Sequence, residues 1–296
     1  MQTKAIFIMN FWISIIFLGL FNITSNLIGQ QIQGLVIDSE SELPLEFVNI
    51  GVVDISQGTI TNDSGVYTLE CEKLPKDCKI QISMIGYDSQ TFNLNELMVD
   101  TKAIRLVRKT YELGEATIKW KELMKKVGTT KTSKFAEQCG LGGTGFGRGY
   151  ELGLLLNLGN TPVKIEDVNL KIHKHSFDTV VFRLHIRSIK NGLPSNELLT
   201  ENIYLPVTKY RGWQQFDLSG YNILLSDDVV LSIEWIKISN VIEKNLIKMN
   251  GSKEATPNIL FNLNNKQGTF YTRWGSAAKW KIKENRSPGF YVTVKE

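Results

Sequence analysis

Beyond residue 30 the chain is broken every few residues by a turn. Short runs alternate apolar and polar side chains and end in Gly, Asn, Asp or Ser. A period of two puts one face of a strand into a core, and closely spaced turns keep the strands short. That combination predicts an all-β chain. Residues 31–108 contain Ile32–Ile37, Pro44–Val53 (with Val48, Ile50 and Val52 alternating), Gly58–Thr61, Val66–Cys71, Lys79–Ile85, Thr91–Leu94 and Ala103–Val107. They predict a small β-sandwich. Further runs follow at Tyr150–Leu158, Val163–Ile172, Val180–Ile189, Tyr204–Val207, Gly212–Leu218, Val229–Ile238, Ile259–Leu263, Gly268–Trp274 and Gly289–Val294. They predict a second, jelly-roll or lectin-like sandwich over residues 143–296.

Residues 109–142 read as a linker, with a last strand at Leu113–Trp120 and a turn or two of helix at Lys121–Val127. The glycine-rich stretch Gly140–Gly149 lacks the Gly-Lys-Ser/Thr of a phosphate loop, and a strand-like run rather than a helix follows it. It reads as a flexible lead into the second sandwich, not a nucleotide site.

The first thirty residues carry one charge, Lys4, then the apolar run Ala5–Phe21, then a polar stretch. This order predicts a signal peptide over 1–30 and an exported mature chain without a membrane span; an uncleaved anchor is the alternative. Export brings a compartment that permits disulfides. Cys71 and Cys78 flank the loop Glu72–Asp77, as a disulfide or as two thiols, and Cys139 is left over without a nearby His. Charge is divided along the chain. Residues 31–108 hold 6 basic and 12 acidic side chains, and residues 143–296 hold 20 and 14. Two oppositely charged domains could dock, or the basic one could favour an anionic ligand. No dense Lys/Arg cluster points to nucleic acid.

Four ordered blocks carry a resemblance: Gln33-Gly-Leu-Val-Ile-Asp38, Leu43-Pro-Leu-Glu-Phe-Val-Asn-Ile50, Gly58-Thr-Ile-Thr-Asn-Asp-Ser-Gly-Val-Tyr67 and Ser83-Met-Ile-Gly-Tyr87. They resemble the carboxypeptidase regulatory-like domain. The resemblance implies a transthyretin-like sandwich and the cell envelope of the Bacteroidetes, including the front of outer-membrane receptors. It is to the accessory domain beside certain carboxypeptidases, not to their zinc-bearing domain. None of His173, His175 and His185 has Glu three positions later, so no catalytic residue is carried over. Residues 182–186, 198–203, 213–218 and 232–235 resemble a C-terminal domain that accompanies the regulatory-like domain in Bacteroidetes proteins, which implies no site.

Alternation puts His173, His175 and His185 on an outer face with Lys171, Arg183 and Arg187. Permanent cations there repel a metal ion, so no metal site is expected; a solvated face or a surface for an anion or acidic glycan are the other readings. Trp274 and Trp280 flank a short loop with Arg273 beside them and Tyr271 nearby. These four are the candidate ligand-binding residues, because flat rings stack on sugars; the alternative is that the rings fill the core. Asp227-Asp228 and Glu166-Asp167 are adjacent carboxylates that would point to opposite faces of a strand. No nucleophile elbow or Cys-His signature is present. The sequence thus predicts a non-catalytic binding or scaffolding protein of the envelope, without cofactor, periplasmic, outer-membrane-associated or secreted. Its expected partner is a glycan or an outer-membrane protein. The competing expectation is a carbohydrate-active enzyme whose site assembles from distant carboxylates.

Overall fold

The computed structural model describes residues 31–99, 103–110, 123–133, 138–142, 149–248 and 254–296. The expected signal peptide, the strand expected at Leu113–Trp120 and most of the glycine-rich stretch lie outside them.

The first sandwich is built from β1 (Gln31–Asp38), β2 (Asn49–Val52), β3 (Gly58–Ile60), β4 (Val66–Glu70), β5 (Lys79–Ser83), β6 (Gln90–Asn93), the helix α1 (Leu94–Val99) and β7 (Ile104–Leu106). One sheet has the order β4-β1-β7, the other β3-β2-β5-β6. Val36, Ile50, Leu69, Ile80, Ile82 and Leu106 fill the space between them. The helix was not expected from the sequence. Its signal is the spacing Asn93-x-x-Glu96: the Glu96 carboxylate accepts from the Asn93 backbone N–H at 2.9 Å, as in a capping box.

The second sandwich contains β8 (Met124–Gly128), β9 (Gln138–Gly142), β10 (Tyr150–Leu156), β11 (Val163–His175), β12 (Val180–Lys190), β13 (Leu193–Glu197), β14 (Ile203–Val207), β15 (Gly212–Asp217) and β16 (Leu224–Leu225). It continues with β17 (Val229–Ile238), β18 (Ile247–Lys248), β19 (Ala255–Thr256), β20 (Asn258–Asn264), β21 (Thr269–Trp274), β22 (Lys281–Glu284), β23 (Ser287–Pro288) and β24 (Phe290–Lys295). One sheet runs β13-β12-β17-β10-β21-β22, with β14 also on β12. The facing sheet runs β23-β20-β11-β24-β8, with β9, β15 and β16 attached. Trp235, Phe182, Phe261 and Phe290 lie at the centre of the core, with Phe177 and Trp235 edge to face at 5.4 Å. Among the described residues, no helix is long and apolar enough to cross a membrane.

Two expectations change. Met124–Gly128 is not helical; it pairs antiparallel with Lys295–Tyr291 at the edge of the second sandwich. An open sheet edge supplies ladder partners that outweigh a weak local helix preference. In β2 the expected alternation vanishes, because all four residues are buried. Ile50 and Val52 face the first core, while Asn49 and Gly51 face the second sandwich, where their nearest partners are Glu234 and the Ser276–Ala277 loop.

Candidate interdomain site

Strand β12 alternates as expected: Phe182, Leu184 and Ile186 enter the core. Its other face carries Arg183, His185 and Arg187, and the sequence reading of that face as solvated is overturned. Arg183 is 0% exposed, His185 3% and Arg187 6%. Neighbouring strands present acids at matching register: Glu234 of β17 lies opposite Arg183 and Glu151 of β10 opposite Glu234. β21 places Arg273 opposite Glu151, and Glu197 lies opposite Arg187 from the end of β13. The first sandwich covers part of this layer.

The contacts are short and directed. Arg183 donates to Glu234 at 2.9 Å, to Asn202 at 3.0 Å and to the Phe47 backbone oxygen of the first sandwich at 2.7 Å. Arg187 donates to Glu151 at 2.6 Å, and Arg273 donates to Glu151 through Nε at 2.8 Å. His185 sits between two carboxylates, Nδ1 at 2.6 Å from Glu197 and Nε2 at 2.9 Å from Glu234. Arg187 Nη2, which can only donate, also lies 2.9 Å from Nδ1, so a second ring proton, which would make the ring an imidazolium, has two carboxylates and a guanidinium around it. Burial and the Arg187 charge oppose that proton, but Glu151 and Glu197 outweigh them and the His185 pKa is raised. Burial alone would raise the three acids; instead Arg187 and Arg273 hold Glu151 ionised, Arg183 and His185 hold Glu234, and His185 and Arg187 hold Glu197. Three guanidinium groups thus face three carboxylates, with His185 in addition.

Other contacts fasten the two sandwiches. Phe47 adopts φ 58°, a conformation rare for an aromatic residue, and packs with Ile60 against Ile236. Lys237 pairs with Asp63 at 2.9 Å, and Lys279 approaches Asp54 at 4.0 Å. Asn202 donates to the Ile85 oxygen at 3.2 Å, and the Asp54 backbone N–H donates to the Ala277 oxygen at 3.0 Å. Basic side chains of the second sandwich meeting acids of the first fits the division of charge along the sequence.

Where the two sandwiches part, a cleft of about 330 Å³ opens. Asn49, Ser83, Tyr87 and Lys109 line it from one side, and Glu197 and Ser276 from the other, with His185, Arg187 and Arg273 also reaching it. Tyr87 donates to Asp38 at 2.8 Å; burial and that bond push its phenol up to about 12.

Of the four ligand-binding candidates chosen from the sequence, Tyr271, Arg273 and Trp280 come together and Trp274 stands apart. Tyr271 is buried, its hydroxyl donating to the Gly192 oxygen at 3.2 Å. Trp280 has its ring edge-on to Tyr271 and the Arg273 guanidinium over its face at 4.4 Å. Trp274 instead stacks on Tyr150 at 4.6 Å and is 47% exposed. Alternation along β21 sets Trp274 on the side of Phe270 and Arg273 on the other, so the two tryptophans make no common platform. His185 is also parted from His173 and His175, because β11 and β12 belong to opposite sheets. His175 is buried, 3.1 Å from the Lys209 oxygen, and His173 is 3.3 Å from Asn262. Cys71 and Cys78 stand as thiols, and burial pushes the Cys139 thiol up to about 12. Sequence reading missed Glu151, Glu197 and Glu234. The signal for Glu151 and Glu234 is that a run as apolar as Tyr150–Leu156 or Val229–Ile238 carries an acid at all; Glu197, at the end of the polar Leu193–Glu197, has no such signal.

No curated protein matches the chain. Solved structures of infectious bursal disease virus are similar at a low level. The Gx strain structure has TM-score 0.25 and 10% identity over 90% of this chain and 62% of that one. The T13 viral particle has TM-score 0.24 and 12% identity over 90% and 60%. The chain thus spans less than two thirds of either viral chain. Residues 32–131, which take in the first sandwich and β8, match the family model of the CarboxypepD_reg-like domain, a β-sandwich domain of non-catalytic kind.

Proposed function

We propose that this is an exported, non-catalytic binding or scaffolding protein of the bacterial cell envelope, acting in the periplasm, at the outer membrane or outside the cell. It recognises a glycan or a partner protein with its two sandwiches held as one body. The observation that carries the non-catalytic reading is the state of Glu151, Glu197 and Glu234. All three are held ionised by buried cations. Glycoside hydrolysis needs one carboxylic acid kept protonated near neutral pH beside a carboxylate. This network does the reverse. Export rests on the composition of residues 1–30, and the envelope setting on the resemblance of the first sandwich.

A glycan array probed with purified residues 31–296, alongside a reducing-sugar release assay on the bound glycans, tests the reading. Binding without release is the expected outcome. Release abolished by Glu197→Gln would overturn it in favour of an enzyme. Co-purification with a membrane protein and an empty array would favour the partner over the glycan.

A further inference from the structure

Val127, Ile172, Phe290 and Val292 face the second core, so alternation turns Lys126, Lys171, His173 and Tyr291 to the outer face of their sheet. There, from the strands on either side of β11, Trp213 of β15 and Tyr291 of β24 meet edge to face at 4.9 Å. Lys171 lies over the Trp213 ring at 5.4 Å, and Lys126 of β8 lies over the Tyr291 ring at 5.0 Å. Lys171 also donates to Thr132 at 3.0 Å. The rings and the hydroxyl hold two ammonium groups that would otherwise sample many rotamers, and a cation fixed in advance loses less on binding. Two positions on from Lys171, His173 has more cations beside it. Arg211 donates to its backbone oxygen at 3.3 Å. Burial, and then the Arg211 and Lys174 charges, lower the His173 pKa.

The acids of these strands sit at the other end. Asp217 lies opposite Asp167, and Glu296 follows Lys295, which lies opposite Lys164. Asp167 and His173 are six residues apart, which is about 20 Å along a strand. Each acid there already has a partner: Lys164 for Glu166, Lys125 for Glu296, Gln215 for Asp167 and the Ser219 backbone N–H for Asp217. Lys126, Lys171, Lys174 and Arg211 form no ion pair among the described residues. Charge complementarity therefore points to an anion. From β8 to β15 the face crosses β24 and β11, three strand spacings or about 14 Å. One exposed cation gains little from one small anion, whereas a chain with acid groups at intervals engages several at once. The cations are spaced between two half-buried rings and the Asn262 amide rather than massed as on a nucleic-acid surface. Rings and an amide between charges suit sugar units.

We propose that this face binds an anionic polysaccharide, its acid groups meeting Lys126, Lys171 and Arg211 and its sugar rings lying along Trp213 and Tyr291. The assignment rests on the binding reading above and gives it a face and a ligand class. Titration of residues 31–296 with alginate and with dextran sulfate, a carboxylate and a sulfate polymer, tests it beside neutral dextran, duplex DNA and phosphatidylglycerol vesicles. At least one acidic polymer should bind and dextran should not. Raising salt from about 0.05 to 0.5 M should weaken binding at least tenfold. The ring NMR signal of His173, assigned by its loss in His173→Gln, should move on saturation while that of the interdomain His185 stays. Lys171→Gln with Arg211→Gln should weaken binding about tenfold with thermal unfolding little changed. Lys281→Gln with Lys283→Gln, an equal change of charge on the facing sheet, should bind as wild type does. Failure of both acidic polymers to bind would overturn the assignment, as would DNA or vesicles binding at least as tightly. So would equal binding by wild type and the Lys171, Arg211 double variant. A glycan-array signal that persists in any of those cases leaves the binding reading standing with its site elsewhere; an empty array with no co-purifying protein removes both.

Discussion

The Arg183 side chain, fully buried on the second sandwich, donates to the backbone oxygen of Phe47 in the first at 2.7 Å. The same guanidinium pairs with Glu234 at 2.9 Å. One residue thus neutralises a buried acid and ties the two domains together. Its replacement should be felt in both roles.

Arg183→Met should destabilise the chain by about 3–5 kcal/mol, because it removes the guanidinium paired with the buried Glu234 charge and leaves His185 as its ion-pair partner. Urea unfolding measures this. Adding Glu234→Gln should recover part of the loss by removing the uncompensated charge. A loss below about 1 kcal/mol in the single variant would mean that water reaches Glu234.

Stability should fall as pH rises above the ordinary histidine range. The His185 pKa is raised above its ordinary 6.5 in the folded chain. Its contribution is fully present below the unfolded value and is lost as pH climbs through the folded one. Glu197 and Glu234, which hold the ring from either side, stay ionised throughout this window. Thermal unfolding followed from pH 6 upward should show the decline, at about the sensitivity typical of a single titrating group, and His185→Gln should remove it.

Gly51→Ala should force the sandwiches apart. A Cβ at that position would lie 2.5 Å from Ser276 Oγ and 2.6 Å from the Ala277 backbone nitrogen, and the latter cannot move without its loop. A destabilisation of about 1–3 kcal/mol is expected from overpacking, with an increased radius of gyration in solution scattering. An unchanged scattering profile would show that the loop yields locally.

Two tryptophans should respond very unequally to truncation. Trp235 is 0% exposed at the centre of the second core, and Trp235→Ala should cost about 3–5 kcal/mol. Trp274→Ala should change stability by no more than about 1 kcal/mol, since nearly half of that ring faces solvent. Denaturant melts of the two variants check both.

The period of two along β12, β17 and β24 was enough to predict an all-β chain, and the four motif blocks were enough to predict the kind of first sandwich, now matched over residues 32–131. Those signals are local: each strand records in its own residues which face is apolar. The fate of the polar face is not local. Arg183, His185 and Arg187 read from the sequence as part of a solvated outer face, the two arginines as permanent cations. They become a neutralised interior layer only because Glu151, Glu197 and Glu234 arrive on other strands and the first sandwich closes over part of it. The pairing of β8 with β24, the parting of Trp274 from Trp280 and the cleft at Asn49 have the same origin. Each depends on which distant strand becomes a neighbour, and that is settled by packing between elements rather than by the pattern within any one of them.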